Sequence, residues 1–434
     1  MTIHKAALAT LAGLGTLLAA TGPEPTFSRD VAPILYRHCV DCHHPGAVAP
    51  FALVTFEDAA RRAALIASVT ASRYMPPWLA AAPHFQNERH LSDAEIATLR
   101  RWAAAGAPRG NPGEAPAPPP FPEGWALGQP GLEAEMRQSF AVPADGPDLY
   151  QCFAIPLPNS PQRYVRAIDI QPGNYRAVHH ALLFQDLAGE ARRRDKGNGY
   201  PCFGTPGFLP ARGLGGWTPG KQPVLAPPGM AETLYPGADL VLQVHYHPTG
   251  KPEIDRTRVA LYFTAEKPRQ HLTDIALGSN RIDIPPGVSN YKVTDHFTVP
   301  VDVDAIDIIP HAHYVCKDML GYAVLPGGAR RTLIHIPDWN FNWQDQYRYP
   351  TPLRLPAETR IEMEFTYDNS DQNPRNPNNP PKRVVYGPAT TDEMAGLHLE
   401  VVPVRAADAE ELGQALWGKM MRTLGGGVYR LPDR

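Results

Sequence analysis

The sequence is poor in net charge, in long apolar runs and in cysteine. Its 434 residues carry a formal net charge of −3, which leaves no basic footprint for nucleic acid. Beyond the N-terminus no apolar stretch is long enough to cross a bilayer, so we expect no membrane span in the mature chain. The five cysteines include one C-x-x-C pair, and without a second pair a four-cysteine zinc cage is excluded. Proline, in contrast, is abundant at 49 residues, which favours strands and loops over a helical body.

Residues 1–22 predict a signal peptide. Lys5 precedes an apolar stretch, residues 6–20, that is too short to span a membrane and is followed by small residues. We therefore expect a periplasmic or secreted protein, with an uncleaved N-terminal anchor as the alternative.

The stretch HCVDCHHPG, residues 38–46, contains the order C-x-x-C-H. In this pattern two thioethers hold a c-type haem while the adjacent histidine binds the iron. A redox C-x-x-C or half of a zinc site is the alternative, but neither needs a histidine directly after the second cysteine. The motif predicts haem c on Cys39 and Cys42, with His43 as an axial ligand.

Helical patterns follow this motif at residues 55–73 and 91–108. The second begins with Ser92 and Glu95 in the order of a capping box. Between them Met75 precedes two prolines, and its thioether is the predicted second axial ligand. Residues 23–108 resemble the cytochrome c fold. The alternative axial ligands are His44, His84 and His90.

A proline-rich stretch separates this part from the rest, and we assign residues 109–145 to a semi-rigid linker. Short alternating segments follow, such as RYVRAIDI, DLVLQVHYH and RIEMEFTY, and they are typical of antiparallel sandwiches. The predicted fold class is therefore multidomain: a small all-α cytochrome c-like domain followed by two all-β sandwiches, residues 146–285 and 286–434.

Histidines cluster in this second part, in VHHALLF, LQVHYHP and IPHAHYV. Residues two apart in a strand share a face, so His-x-His offers two imidazoles to one metal, whereas adjacent histidines need a bend or a bulge. Imidazole suits copper, zinc, iron or nickel, and spacing alone does not choose among them. One histidine is usually a satisfied core residue, but three clusters in succession point to metal.

The motifs VHHALLF, LQVHY, HAHY and TTDEM resemble, in order and approximate spacing, those of the copper type II, ascorbate-dependent monooxygenases. The resemblance spans roughly residues 146–405 and implies two jelly-roll sandwiches with one copper ion on each. It places the first copper on His179, His180 and His245, and the second on His311, His313 and Met394.

The same resemblance implies several further assignments. It pairs Cys152 with Cys202 in a disulfide, which leaves Cys316 unpaired; we interpret Cys316 as a buried structural thiol, with a perturbation of the copper as the alternative. It also treats His247 as a supporting residue, with replacement of His245 as a ligand as the alternative. Finally, it assigns electron transfer to the first copper, and O2 activation to the second, where the soft thioether of Met394 favours Cu(I).

The sequence thus predicts an exported haem- and copper-dependent monooxygenase that hydroxylates a C–H bond of a small organic substrate with O2. Electrons are expected from an external donor, ascorbate or a redox protein, through haem c and the first copper. The alternative is a haem and copper protein that transfers electrons or handles copper without oxygenase activity.

Overall fold

The computed structural model describes residues 23–86, 88–121, 124–157, 161–268 and 271–425, with side chains up to residue 422. The predicted signal peptide lies outside the described residues. The chain divides into two compact units. Of the described residues, the first consists of those in 23–45, 51–76 and 91–119, and the second of those in 46–50, 77–90 and 120–425.

The first unit is built from short helices. Leu35, Leu99 and Trp102 are completely buried in its core. The last helix begins with the capping box of Ser92 and Glu95, which confirms that part of the sequence analysis. The helices are α1 (Ala32–His38), α2 (Phe56–Ala60), α3 (Ala63–Ala71) and α4 (Asp93–Ala104).

The predicted fold class is wrong. The described part of the chain is mostly β, with 34% of its residues in strands and 16% helical, and the helices described there form no clear all-α cytochrome domain. The helical pattern at residues 55–73 is broken at Arg61 and Arg62 into two short helices. Residues 77–90, whose described positions contain no helix, belong to the second unit. Two further helices, α5 (Glu190–Arg194) and α6 (Ala409–Gly425), lie in the part predicted as all-β.

The second unit contains the described strands. The first eleven are β1 (Leu132–Glu135), β2 (Phe140–Val142), β3 (Leu149–Ile155), β4 (Arg163–Gln171), β5 (Val178–Asp186), β6 (Tyr200–Pro201), β7 (Arg212–Trp217), β8 (Glu232–Leu234), β9 (Asp239–Tyr246), β10 (Glu253–Asp255) and β11 (Arg258–Thr264). The others are β12 (Thr273–Gly278), β13 (Asp283–Ile284), β14 (Tyr291–Thr298), β15 (Val303–His311), β16 (Cys316–Val324), β17 (Arg330–Ile336), β18 (Tyr347–Leu355), β19 (Arg360–Tyr367), β20 (Val384–Val385) and β21 (Gly396–Pro403).

Four larger antiparallel sheets form two layered bodies. Sheet 1 has the order β6-β3-β9-β5-β7 and sheet 2 the order β1-β11-β4-β8. Their apolar faces share one core, which includes Leu183, Leu242 and Val259. Sheet 3, β12-β21-β15-β18, and sheet 4, β14-β19-β16-β17, share a second core around Ile308, Met319 and Phe365. Alternation of buried and more exposed residues along strands such as β14 and β19 contributes to this arrangement, because successive side chains point to opposite faces.

The segment predicted as a linker, residues 109–145, contains two strands. Strand β1 pairs with β11, and β2 pairs with β10. The four residues of β1, Leu-Glu-Ala-Glu, form too short and too acidic a strand to be recognised from periodicity.

The disulfide between Cys152 and Cys202 is confirmed, and Cys316 is a buried thiol on β16. A disulfide is typical of proteins that fold in an oxidising compartment. Among the described residues, no helix combines the length and the apolar character that a bilayer crossing needs.

Candidate metal centres

The three histidines predicted for the first copper lie together on sheet 1. His179 and His180 belong to β5, and His245 belongs to the neighbouring β9. One ring nitrogen from each lies within 4.8 Å of the other two. The Nδ1 atoms of His179 and His245 lie 3.3 and 3.4 Å, respectively, from Nδ1 of His180. Three imidazole nitrogens therefore converge on one point.

A β-bulge explains how two adjacent residues reach the same point. In a regular strand His179 and His180 would point to opposite faces of sheet 1. The register between β5 and β9 shifts between Val178 and His180, and His180 then pairs with His245. Adjacent histidines predict a bend or a bulge here, and with His179 as the extra residue of the bulge both rings reach that of His245.

Burial keeps these imidazoles neutral. It lowers the pKa values of His179 and His180 well below the usual range, and repulsion from the neighbouring histidines adds to the effect. The pKa of His245 is also lowered by burial, although Asp148 opposes the shift. A neutral imidazole offers a lone pair to a metal ion at pH 7, so the cluster is ready to bind one without releasing protons.

Asp148 contacts His245 of the first cluster and the neighbouring His247. One of its carboxylate oxygens lies 3.2 Å from Nε2 of His245, and the other lies 2.7 Å from Nδ1 of His247. Burial opposes ionisation of this carboxyl group, but the hydrogen bonds from the two histidines prevail and lower its pKa. The pairing favours a proton on Nε2 of His245 and leaves Nδ1 for the cluster, an arrangement common behind metal-binding histidines. His247 itself is half-exposed and contacts Asp148, as expected for a supporting residue.

The second pair of histidines lies at the end of β15 in sheet 3, where His311 is the last residue of the strand and His313 follows it. The rings of His311 and His313 are 5.5 Å apart and almost perpendicular. Nδ1 of His311 lies 2.5 Å from the side-chain oxygen of Gln344, and Nδ1 of His313 lies 3.2 Å from the carbonyl oxygen of Asp392. Because both contacts are to acceptor oxygens, each Nδ1 carries the proton and each Nε2 keeps its lone pair.

A single buried carboxyl group joins His313 to the loop that carries Met394. Glu393 is completely buried. It accepts hydrogen bonds from the backbone amides of His313, Val315 and Met394. The hydroxyl of Tyr367 also donates to the carbonyl of Met394, at 2.8 Å. Glu393 thus fixes the predicted thioether ligand and one predicted imidazole ligand to the same scaffold.

Burial governs the protonation of this second site as well. It lowers the pKa of His311 to about 4 and that of His313 to about 3. Burial also raises the pKa of Glu393 to about 8, although backbone hydrogen bonds oppose that rise.

One aromatic side chain lies between the two groups of histidines. Phe341 stacks on His179, with ring centroids 4.6 Å apart, and meets His313 edge to face at 5.4 Å. A second link is Tyr150, which stacks on His245 at 4.1 Å while its hydroxyl donates to the carbonyl of Pro388. The two predicted copper sites therefore face each other with a phenyl ring between them.

The donor sets fit the metals that the sequence predicts. Three neutral imidazoles suit copper or zinc, and two imidazoles joined by the predicted thioether of Met394 would favour Cu(I). In the first unit, Nδ1 of His43 lies 2.9 Å from the carbonyl oxygen of Phe51, so its Nε2 remains available to an axial position. Burial raises the pKa of the Cys39 thiol to about 12. Met75 is half-buried, and its role as a second axial ligand stays a prediction.

Several supporting residues escaped the sequence analysis. Asp148 and Glu393 are acidic residues beside the predicted ligands, but nothing in their spacing indicates that they are buried. Phe341 and Gln344 lie in an irregular segment between β17 and β18, where periodicity provides no signal. For Glu393 the sequence does offer one signal, because this residue belongs to the motif TTDEM that contains the predicted ligand Met394.

Comparisons with known proteins give no family. No protein-family profile and no curated protein matches the chain. Similar solved structures include the major capsid protein P2 from bacteriophage PM2, with a TM-score of 0.26 and 9% identity over 63% of this chain and 97% of that one. Another is PNGF-II, with a TM-score of 0.28 and 10% identity over 62% of this chain and 65% of that one. At these TM-scores neither likeness carries an argument, and neither supports the resemblance to the copper monooxygenases, which stays a prediction.

The lowered pKa values predict acid sensitivity of the chelator-treated protein. An unfolded histidine has a pKa of about 6.5, whereas folded His311 has a pKa of about 4. Between these values the unfolded state binds more protons, so the contribution of His311 to stability is full above pH 6.5 and is lost as the pH falls toward 4. We expect the free energy of unfolding to fall there by up to about 1.4 kcal/mol per pH unit for this residue alone.

Urea unfolding between about pH 7 and pH 4.5 measures this slope. His311→Gln should show a shallower pH dependence than the parent, and replacing the exposed His296 by glutamine serves as the matched control. Parallel pH profiles for the parent and His311→Gln would contradict the lowered pKa of His311.

Proposed function

We propose that this chain is an exported, copper-dependent monooxygenase, related to the copper type II, ascorbate-dependent enzymes, that hydroxylates a C–H bond of a small organic substrate with O2. The observation that carries the proposal is the convergence of His179, His180 and His245, all neutral, opposite a second histidine pair tied to a methionine loop. A structural role alone does not account for so many buried imidazoles with their lone pairs unprotonated.

The two donor sets suit different tasks. Copper, when bound, supplies one-electron redox chemistry at the first site and O2 activation at the second. The protein's part is to hold the ligands: Asp148 orients His245, while Gln344 orients His311. Glu393 sets the distance between His313 and Met394 through backbone hydrogen bonds. Such prior orientation of the ligands is what makes a metal site selective.

The electrons are proposed to arrive through haem attached at Cys39 and Cys42. This part of the proposal depends on the C-x-x-C-H motif and on the orientation of His43, not on a cytochrome c fold. An external donor, ascorbate or a redox protein, would supply the electrons. The disulfide between Cys152 and Cys202 supports an oxidising compartment, where such haem attachment is expected.

The surroundings of the second site argue against a peptidylglycine substrate. In that branch of the family, an arginine and an Asn-x-Tyr pair hold the peptide carboxylate. Here the corresponding residues are Ile309, Gly396 and His398. Ile309 pairs with His398, and His311 pairs with Gly396, so these residues do lie beside the site. Without a guanidinium group a carboxylate loses its bidentate partner, and a less acidic substrate is expected.

The oxygenase assignment predicts a specific loss in Met394→Ala. Because the thioether favours Cu(I), its removal should abolish oxygen incorporation while the first site still binds copper. Turnover of a metabolite library under isotopically labelled O2, followed by mass spectrometry, measures the gain of one labelled oxygen atom. Met421→Ala, which removes an exposed methionine on α6, is the matched control and should behave as the parent.

Two outcomes would overturn the proposal. Parent-level incorporation in Met394→Ala would show that the oxygen site lies elsewhere. The second outcome is a parent protein that binds copper at both clusters and is readily oxidised and reduced but forms no labelled product. That result would favour the electron-transfer alternative.

The haem assignment has a spectroscopic test. Haem bound through thioethers resists extraction by acidified acetone, so the parent should retain its colour, and Cys39→Ser with Cys42→Ser should lose it. Met75→Ala should remove the weak red absorption band of methionine-ligated ferric haem. Extractable haem in the parent would contradict the attachment, and an unchanged band in Met75→Ala would contradict only the methionine assignment.

A further inference from the structure

Phe341 contacts one predicted ligand of each copper site. Only 3% of its surface is exposed, although it lies in an irregular segment between β17 and β18. Its ring is nearly parallel to that of His179, with an interplanar angle of 11°, and nearly perpendicular to that of His313, at 83°. Tyr314 packs against the same ring, with centroids 4.7 Å apart.

The contacts with Phe341 restrict the tilt of the His179 and His313 rings, which the polar contacts of these residues do not fix. His313 is held by a contact of its Nδ1 with the carbonyl of Asp392, but a single contact still permits the ring to tilt. For His179, the contact with Nδ1 of His180 fixes an edge of the ring rather than its plane. An aromatic neighbour restricts that tilt because stacked and edge-to-face pairs have preferred geometries.

We propose that Phe341 is a positioning residue for both metal sites and couples them: its ring orients one imidazole of each, so that metal binding at one site favours metal binding at the other. The inference rests on the proposed function only in taking both clusters as copper sites. No bond is made and no electron moves in this coupling. It is a mechanical link through three aromatic rings.

The coupling must act equally in both directions. If copper at the first site orders His179, Phe341 loses freedom and His313 is held closer to its ligand geometry, and the reverse is also true. We expect an effect of about 5-fold or more on each affinity, the lower end of what coupled sites commonly show.

Neighbouring residues provide single-site controls. Asp148 contacts His245 of the first site, whereas Glu393 contacts only the backbone near the second. Asp148→Asn should therefore weaken the first site before the second, and Glu393→Gln the second before the first. Phe203 is the matched aromatic control. Its ring centroid lies 4.9 Å from that of Tyr150, and Tyr150 in turn stacks on His245 of the first site.

The test is copper binding to the full chain, without substrate or turnover. Cu(II) is titrated into the parent, Phe341→Leu and Phe341→Tyr, and electron paramagnetic resonance follows the two sites. Leucine keeps an apolar side chain but removes the ring, so both signals should change and both affinities should fall. Tyrosine keeps the ring and should restore the parent spectra. Phe203→Leu should leave the second site unchanged, and thermal unfolding checks that each variant is folded.

The outcomes separate this inference from the proposed function. A parent that binds copper at two sites, together with Phe341→Leu that binds both ions with parent affinities and spectra, overturns the coupling alone. A change at one site only also overturns it. A folded parent that binds no copper at either cluster overturns both the proposed function and the inference.

Discussion

The β-bulge in β5 is the constraint on which the candidate centre depends. His179 is the extra residue of this bulge, between Val178 and His180. Without the bulge, His179 and His180 would point to opposite faces of sheet 1. With it, His179 and His180 both reach His245, and one face of the His179 ring is left to stack on Phe341. A local irregularity in one strand thus creates both the first cluster and its contact with the second.

Two buried carboxyl groups hold this arrangement together. Removing a carboxyl group from water is costly unless polar contacts replace the lost solvation. Asp148 has a hydrogen bond from His247 and a polar contact with His245, and Glu393 has hydrogen bonds from backbone amides on two segments that are far apart in sequence. Each carboxyl group therefore stabilises one particular geometry of the ligands around it. Loss of either one would leave unpaired polar groups in the interior, which usually costs more than the bond itself contributes.

The sequence predicted the positions of the histidines better than the architecture around them. The segments that contain His179, His245 and His311 are short and rich in β-branched and other apolar residues, and all three histidines do lie on strands. The disulfide between Cys152 and Cys202 was also predicted correctly. Adjacent histidines signalled a bulge, although not which residues would support them.

The errors and omissions have physical causes. Periodicity describes helices well only when they are long, and those of the first unit are five to twelve residues, so the expected all-α cytochrome domain did not follow. Contacts between segments that are distant in sequence determine the positions of Asp148, Glu393 and Phe341. The local sequence pattern does not indicate such contacts. Phe341 lies in an irregular segment, where hydrophobic patterning has no period to reveal burial.

The central claim is that two copper ions bind one chain at clusters separated by a phenyl ring. Diffraction from copper-loaded crystals, measured on both sides of the copper absorption edge, tests this most directly. The account predicts two anomalous peaks, one among the Nδ1 atoms of His179, His180 and His245, and the other beside Nε2 of His311 and His313 with the Met394 sulfur. A single peak, or copper bound only at other residues, would contradict it.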